Sequence, residues 1–363
     1  MTVFVAGGAG YIGSHTVLEL LAQGYDAVLA DNFINSKPEV ISRLRQISGK
    51  RFPFYNIDVR DEAQLEVVFS EHKIDCIIHF AGMKSVGESV SKPLSYYSNN
   101  LGSTIALCCA MEKHGVGKLI FSSSATVYSR SNAMPLTESS AVGNCANPYG
   151  WTKYMCEQIL RDAAATNSGW SLALLRYFNP IGAHRSGEIG EDPLGTPSNL
   201  MPYIAQTAVG RRDFLHVYGD DYDTFDGTGI RDYIHVSDLA KGHVAAIKHL
   251  ENSTGTSVFN LGTGKGTSVY ELVSAFEKAS GVRIPKKVVG RREGDLPTCY
   301  ADASKAAREL GWAAEKTIED ACADSWRWQK KNPSGYSDNI VSTQTRNSFA
   351  SCSCSSNSLF SGI

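Results

Sequence analysis

The sequence predicts an α/β fold in which a doubly wound parallel sheet is followed by a smaller C-terminal α/β lobe. Three observations lead there. Short apolar runs recur at residues 3–6, 26–30, 76–80, 118–121 and 172–178. Segments with helical spacing lie between them. A glycine-dense turn closes the first run and opens the first helical pattern. Strands that read as near-continuous apolar runs are buried on both faces, so helices must cover the sheet on both sides.

Taken in order, residues 3–6 are apolar and end at Gly7. Residues 16–23 place Val17, Leu18, Leu20 and Leu21 on one helical stripe and stop at Gly24, a common C-terminal signal. The second run, 26–30, ends at Asp31, and later helical patterns cover 63–71, 102–114 and 152–165. Past Asn179 the texture changes: Gly, Pro and Asp become dense at 179–199 and again at 219–229, as in a loop-rich lobe. The expected division is a Rossmann-like domain at 1–178 and a second lobe at 179–336, with some interleaving. Residues 337–363, rich in Ser and Asn and carrying Cys352 and Cys354, read as a disordered tail.

Composition narrows the function classes. The 363 residues hold 35 Lys+Arg against 37 Asp+Glu, a net charge of −2. Nucleic acid is a poor fit as main partner, because neutralising its phosphates requires a basic face. No apolar run approaches the ~18 residues that span a bilayer, and the N-terminus lacks a basic segment and cleavage site. The nine Cys show no C-x₂-C pair, so neither a zinc site nor a redox centre is expected. These features predict a cytoplasmic protein with reduced thiols, no membrane contact and no metal.

The turn Gly7-Gly8-Ala9-Gly10-Tyr11-Ile12-Gly13 satisfies G-x-x-G-x-x-G between a strand and a helix. Its glycines let backbone N–H groups approach a pyrophosphate, and the helix N-terminus faces that anion with partial positive charge. A glycine motif alone also fits an ordinary tight turn; the strand–turn–helix setting favours a dinucleotide. Asp31 ends the second run, where a carboxylate accepts from adenosine ribose hydroxyls and repels a 2′-phosphate. No Arg follows in Asn32-Phe33-Ile34-Asn35-Ser36, so NAD is favoured over NADP. A turn cap is the plain alternative for Asp31.

Tyr149 and Lys153 stand four apart after Asn147-Pro148, on one face of a helical pattern. A free phenol has a pKa near ~10 and is a poor base at neutral pH. The nearby ammonium and an oxidised nicotinamide are expected to lower it; about three units requires roughly 4 kcal/mol. Ser122-Ser123-Ser124 ends the apolar run 118–121, which brings a hydroxyl to the crevice. Such a Tyr–Lys pair is common on surfaces, but beside a dinucleotide turn it points to proton removal from an alcohol during hydride transfer.

These residues resemble the extended short-chain dehydrogenase/reductase family, and within it the UDP-galactose 4-epimerases. The resemblance rests on Gly7 to Thr16, on His79-Phe80-Ala81-Gly82-Met83-Lys84, and on Phe121 to Tyr128. It rests also on Leu175 to Pro180 and on Asp226 to His235. It covers residues 1 to about 336. It implies reversible inversion at C4 of UDP-hexoses, a step of galactose metabolism, through a 4-keto intermediate and tightly held NAD. Tyr149 would remove the 4-hydroxyl proton, Ser124 would bond the reacting oxygen, and Lys153 would hold the nicotinamide ribose.

The resemblance further implies an NAD site. Gly7, Gly10, Tyr11, Ile12 and Gly13 would contribute from the turn, and Asp31, Asn32, Asn35 and Ser36 from the second run. Asp58, Val59, Phe80, Ala81, Gly82, Lys84, Asn99 and Phe178 would complete it with Ser124, Tyr149 and Lys153. For the UDP-sugar it implies Asn179, Asn199, Leu200, Tyr218, Arg231, Arg292, Asp295 and Cys299, with Ser124 and Tyr149 at the sugar. The two arginines suit a diphosphate and Tyr218 a uracil face, although by residue type alone each Arg reads as a surface ion pair. Where relatives carry Tyr or a smaller residue, Cys299 leaves room for UDP-N-acetylhexosamines. A homodimer through helices 102–114 and 152–165 is also implied. The rival readings are a nucleotide-sugar 4,6-dehydratase, which needs an acid–base pair that Ser124-Ala125-Thr126 lacks, and a non-catalytic NAD-sensing protein, which needs no Tyr–Lys pair.

Overall fold

Apolar runs and helical stripes do alternate in space as in sequence. The computed structural model describes residues 1–292 and 294–336; the expected tail at 337–363 lies outside the described residues. The first half runs β1 (Thr2–Ala6), α1 (Tyr11–Ala22), β2 (Asp26–Asp31), α2 (Glu39–Ser48), β3 (Phe54–Asn56) and α3 (Glu62–Glu71). It continues through β4 (Cys76–His79), α4 (Val86–Ser91), α5 (Pro93–His114), β5 (Lys118–Ser124), α6 (Pro148–Thr166) and β6 (Ser171–Tyr177). The second half runs β7 (Asn179–Ile181), α7 (Leu200–Ala208), β8 (Leu215–Tyr218), β9 (Ile230–Arg231), β10 (Tyr233–His235), α8 (Val236–Leu250) and β11 (Gly255–Leu261). It closes with β12 (Thr267–Ser268), α9 (Val269–Ser280), β13 (Lys286–Val289), β14 (Thr298–Cys299), α10 (Ser304–Leu310) and α11 (Ile318–Lys331).

Among the described residues, seven strands form one sheet in the order β11-β6-β5-β4-β1-β2-β3. Every pairing in it is parallel. Val3, Val5, Leu29 and Ile78 pack on one face, and Phe4, Val28, Ile77 and Leu119 on the other. This alternation is the two-sided burial that the apolar runs predict. The strand order reverses between β1 and β4, and the crevice outside their carboxyl ends is where such sheets bind ligands.

The division at residue 178 is not a clean cut. β11 pairs with β6, extending the first sheet, and α8 supplies Leu239, Val244 and Ile247 to the core that α1 and β1 share. The remaining small strands pair in twos and threes around a separate core of Ile204, Leu215, Val217, Leu272 and Phe276. Two helices start earlier than their apolar pattern. Pro93 opens α5, and Asn147 caps α6 by accepting from Gly150 N at 2.9 Å, with Pro148 in the first turn. No described helix is long and apolar enough to cross a membrane.

Candidate active site

The glycine turn is shaped by contacts that leave no space for side chains. Gly7 has φ +84°, and a Cβ there would lie 2.8 Å from Ala81 N, at the end of β4. A Cβ on Gly13 would stand 2.2 Å from the Gly7 carbonyl oxygen. Backbone from the β1 turn, the α1 N-terminus and the β4 end is therefore brought together, as close approach to a pyrophosphate requires. Asp31 fixes the turn from the next strand. Its carboxylate accepts from Ala9 N at 3.0 Å, Phe33 N at 2.9 Å and Ser36 Oγ at 2.8 Å. It caps the turns that follow β1 and β2, so the plain role holds alongside any ligand role.

One cleft runs from this turn across the sheet end. Gly7, Gly10, Tyr11, Ile12, Gly13, Asp31, Asn32, Asn35 and Ser36 line it, with Asp58, Val59, Phe80, Ala81, Gly82, Lys84, Asn99 and Phe178. Ser124, Tyr149, Lys153, Asn179 and Asn199 share the same walls. The cradle fits a dinucleotide. Among the described residues, no three His, Cys, Asp or Glu side chains gather as a metal site would need.

Leu200, Tyr218, Arg231, Arg292, Asp295 and Cys299 lie outside that lining, in the second lobe. Leu200 packs on the second-lobe core, and the other five are linked to one another. Arg231 pairs with Asp295 at 3.5 Å, and Cys299 sits beside Arg231 across the β14–β9 pairing. The Arg292 guanidinium stacks 3.9 Å from the Tyr218 ring centre, so cation and aromatic face are already joined.

Ser124 ends β5, and Tyr149 stands in the first turn of α6. The Ser124 hydroxyl accepts from Thr126 N at 3.2 Å and Thr126 Oγ1 at 3.0 Å, and it lies near enough to the Tyr149 phenol to favour the phenolate. Thr152 Oγ1 donates to the Tyr149 carbonyl at 2.7 Å. Asn100 donates to Thr152 Oγ1 at 2.9 Å while accepting from Met83 N at 2.8 Å. One buried asparagine thus ties the β4 loop to the helix that carries the phenol.

The expected acidic phenol is not what the polypeptide alone provides. Burial pushes Tyr149 up to about 12, and the nearby Ser124 hydroxyl offsets only part of that. Burial also pulls Lys153 down to about 8, against the raising influence of Cys156 and Glu157. The Lys153 ammonium donates to the Ser122 carbonyl at 2.6 Å and lies 6.0 Å from the Tyr149 ring centre. Two groups that both resist being charged in a dry site cannot ionise each other cheaply. Half-ionising the phenol at pH 7 requires roughly 7 kcal/mol, rather than the smaller figure expected from sequence.

Sequence reasoning missed several groups here. Glu157, one turn beyond Lys153, accepts from Ser123 Oγ at 2.6 Å and from Arg176 at 2.9 and 2.7 Å. This buried pair staples β5, β6 and α6 directly beneath the site. Tyr177, Glu191, Asp192 and Tyr336 also line the cleft. Only the serine run carried a signal for Ser122. The others look, in sequence, like an ordinary helix acid, a strand tyrosine and loop residues.

The chain matches the NAD dependent epimerase/dehydratase family over residues 3–262. It is 57% identical over 336 residues to UDP-glucose 4-epimerase of Bacillus subtilis (strain 168), spanning 93% of this chain and 99% of that protein. The UDP-glucose 4-epimerase of Mus musculus is 55% identical over 340 residues, spanning 92% and 98%. Among solved structures, UDP-glucose 4-epimerase from Bifidobacterium longum in complex with NAD+ and UDP aligns with a TM-score of 0.90. Its identity is 57%, over 93% of this chain and all of that one.

Proposed function

The chain belongs to the NAD dependent epimerase/dehydratase family, and on that premise we propose that it inverts C4 of UDP-hexoses, interconverting UDP-galactose and UDP-glucose. NAD is its resident cofactor, held by the lobe of residues 1–178, and the UDP-sugar binds toward 179–336. The observation that carries this reading is one cleft in which Ser124, Tyr149 and Lys153 stand beside the glycine turn.

The glycine turn, Asp31, Lys84 and Lys153 would hold NAD, which would supply a hydride acceptor and donor for C4 of the sugar. Tyr149 removes the proton from the 4-hydroxyl and gives it back. Ser124, beside the phenol, steadies the reacting oxygen. Lys153 contributes positive charge. Arg231 and Arg292 neutralise the diphosphate, Tyr218 faces the base, and Asp295 accepts from ribose hydroxyls. Asn179, Asn199 and Leu200 bind along the same path. A dehydratase needs a further acid–base pair at the β5 end. The turn at Ala125–Val127 carries no carboxylate, and Glu157 is committed to Arg176.

The test uses purified protein without added cofactor, given UDP-galactose or UDP-N-acetylgalactosamine. Wild type should invert C4 of both. Cys299 is half-buried against Phe178 and its neighbours, so Cys299→Tyr should keep the hexose and lose the N-acetyl sugar by ~10-fold or more. No inversion without added NAD would sink the main reading. Equal turnover of the N-acetyl sugar by both proteins would remove the steric argument alone.

The proposal includes a homodimer. α5 and α6 pack together, and the exposed side of this region carries Val90, Leu94 (81% exposed), Ile105 and Cys109, with Trp151 edge-on to Tyr154 on α6. An apolar stripe of this kind suits burial against a second copy. Ile105→Glu should shift the protein toward monomer in sedimentation velocity; an unchanged profile removes this interface.

A further inference from the structure

Three successive residues of β5 meet three successive turns of α6. Ser124 lies by Tyr149, the Ser122 carbonyl accepts from Lys153, and Ser123 Oγ donates to Glu157 Oε1 at 2.6 Å. Tyr149, Lys153 and Glu157 are spaced by four and share one face of the helix. The first two meetings involve groups assigned to the chemistry. The third involves none of them.

Side chains alternate across a strand, so Leu119, Phe121 and Ser123 form one row. Leu119 and Phe121 pack with Cys156 and Leu160 in an apolar layer. Ser123 ends that row with a buried hydroxyl, beside its register partner on β6, Arg176. Glu157 is 1% exposed and Arg176 2%. Arg176 donates to both carboxylate oxygens, and Arg161 reaches Oε2 from one turn on at 3.3 Å. A buried ion pair of this kind adds little stability over apolar side chains of similar size, because desolvation offsets the attraction. What it supplies is direction. Hydrogen bonds tie the strand end to the helix at one place, where apolar contacts alone leave room to slide.

We propose that Glu157 is a positioning residue for the proton transfer: by holding Ser123 it fixes the end of β5 against α6, and so sets Ser124 relative to Tyr149 and the Ser122 carbonyl relative to Lys153. This rests on the reading of Ser124, Tyr149 and Lys153 as the catalytic set. Arg176 has the complementary task. Glu157 stands one turn from Lys153, and a carboxylate left unpaired there would draw the ammonium off the Ser122 carbonyl. Engaged on both oxygens, it leaves Lys153 in place.

The experiment measures kcat and KM for UDP-galactose as a function of pH, the Kd of UDP, the NAD content and the thermal midpoint. The proteins are wild type, Ser123→Ala, Glu157→Met/Arg176→Met, that pair combined with Ser123→Ala, and Tyr149→Phe. Ser123→Ala should lower kcat about tenfold at neutral pH, with KM and Kd within about twofold and NAD retained. The acid limb of its kcat profile should move up by about one pH unit, as a phenol less well placed against Ser124 requires. Lys153, Cys156 and Tyr177 are the titratable neighbours of the phenol, and this substitution leaves all three. The paired methionines remove both charges together, so they should hold or raise the thermal midpoint while lowering kcat as far as Ser123→Ala does. Adding Ser123→Ala to them should cost less than about twofold more.

A Ser123→Ala protein with kcat within about threefold of wild type and an unmoved acid limb overturns the inference. So does turnover that falls only in step with the thermal midpoint or with lost NAD, which would give the cluster to the fold alone. A full tenfold loss from Ser123→Ala on top of the paired methionines overturns the route through Glu157. Should the paired-methionine protein fail to fold, Ser123→Ala decides through its acid limb. Near wild-type turnover by Tyr149→Phe overturns instead the reading of the phenol as base, on which the inference stands.

Discussion

Tyr149→Phe should lower turnover of UDP-galactose by ~10³-fold or more while the protein still retains its NAD. General-base catalysis by a positioned side chain contributes ~10²–10⁴-fold, and phenylalanine removes only the oxygen that accepts the proton. The ring is kept, so the packing around it is kept. What is lost is a phenol whose neighbour is the Ser124 hydroxyl. The stability change should stay near about 1 kcal/mol, the ordinary worth of one hydrogen bond. The measurement pairs steady-state turnover with the NAD released on denaturing the variant. Turnover within about tenfold of wild type removes Tyr149 as the base. Loss of NAD together with activity would mean that the residue serves cofactor binding rather than proton transfer.

The elevated Tyr149 pKa shows how much activation the bound state must add before this effect is expressed. A phenol at about 12 is almost wholly protonated at pH 7. The chain therefore supplies a site for a base and only part of its activation. Ser124 and the amino end of α6 favour the anion modestly. The rest has to come from positive charge assembled beside the oxygen, and the crevice at the β1–β4 reversal lets the glycine turn and the Tyr–Lys helix face the same space.

Much of this was legible in the sequence, for identifiable reasons. Buried parallel strands leave uninterrupted apolar runs, so β1, β2, β4 and β6 were visible almost to the residue. β5 was cut short because its last residues are the serines that reach the site, where function replaces an apolar pattern. β3 has three half-exposed or exposed residues at the sheet edge, and nothing periodic marks it. The glycine turn and the Tyr149–Lys153 spacing carried the chemistry by residue type alone. Arg231, Arg292 and Asp295 did not: only resemblance singled them out, and they lie apart from the main cleft lining. Glu157 and Glu191 were invisible because one reads as a helix-surface acid and the other as a loop acid. Their meaning lies in partners far along the chain, Arg176 for one, Lys84 and Asn199 for the other.

Lys153→Met is the second large effect, and it should move activity and stability in opposite directions. Turnover should fall by ~10²-fold or more, because a fixed positive charge next to a developing phenolate is worth about that much in a dry site. Stability at pH 7 should rise. Burial brings Lys153 from 10.5 to about 8, so between those values the unfolded chain holds a proton that the folded chain has lost. Stability attributable to this lysine therefore increases with pH across that window, and below pH 8 the folded state carries the full penalty of a buried cation. That penalty is roughly 3 kcal/mol. Methionine has a similar length, carries no charge, and should recover up to that amount at pH 7 and progressively less toward pH 10.5. Urea midpoints of both proteins at pH 7 and pH 10, at matched cofactor content, test the sign. A variant that is less stable at pH 7, or one that turns over within about tenfold of wild type, would show that Lys153 serves the packing of α6 on β5. A lysine that weakens the fold at neutral pH and is needed for turnover is instead what a charge held ready for the phenol predicts.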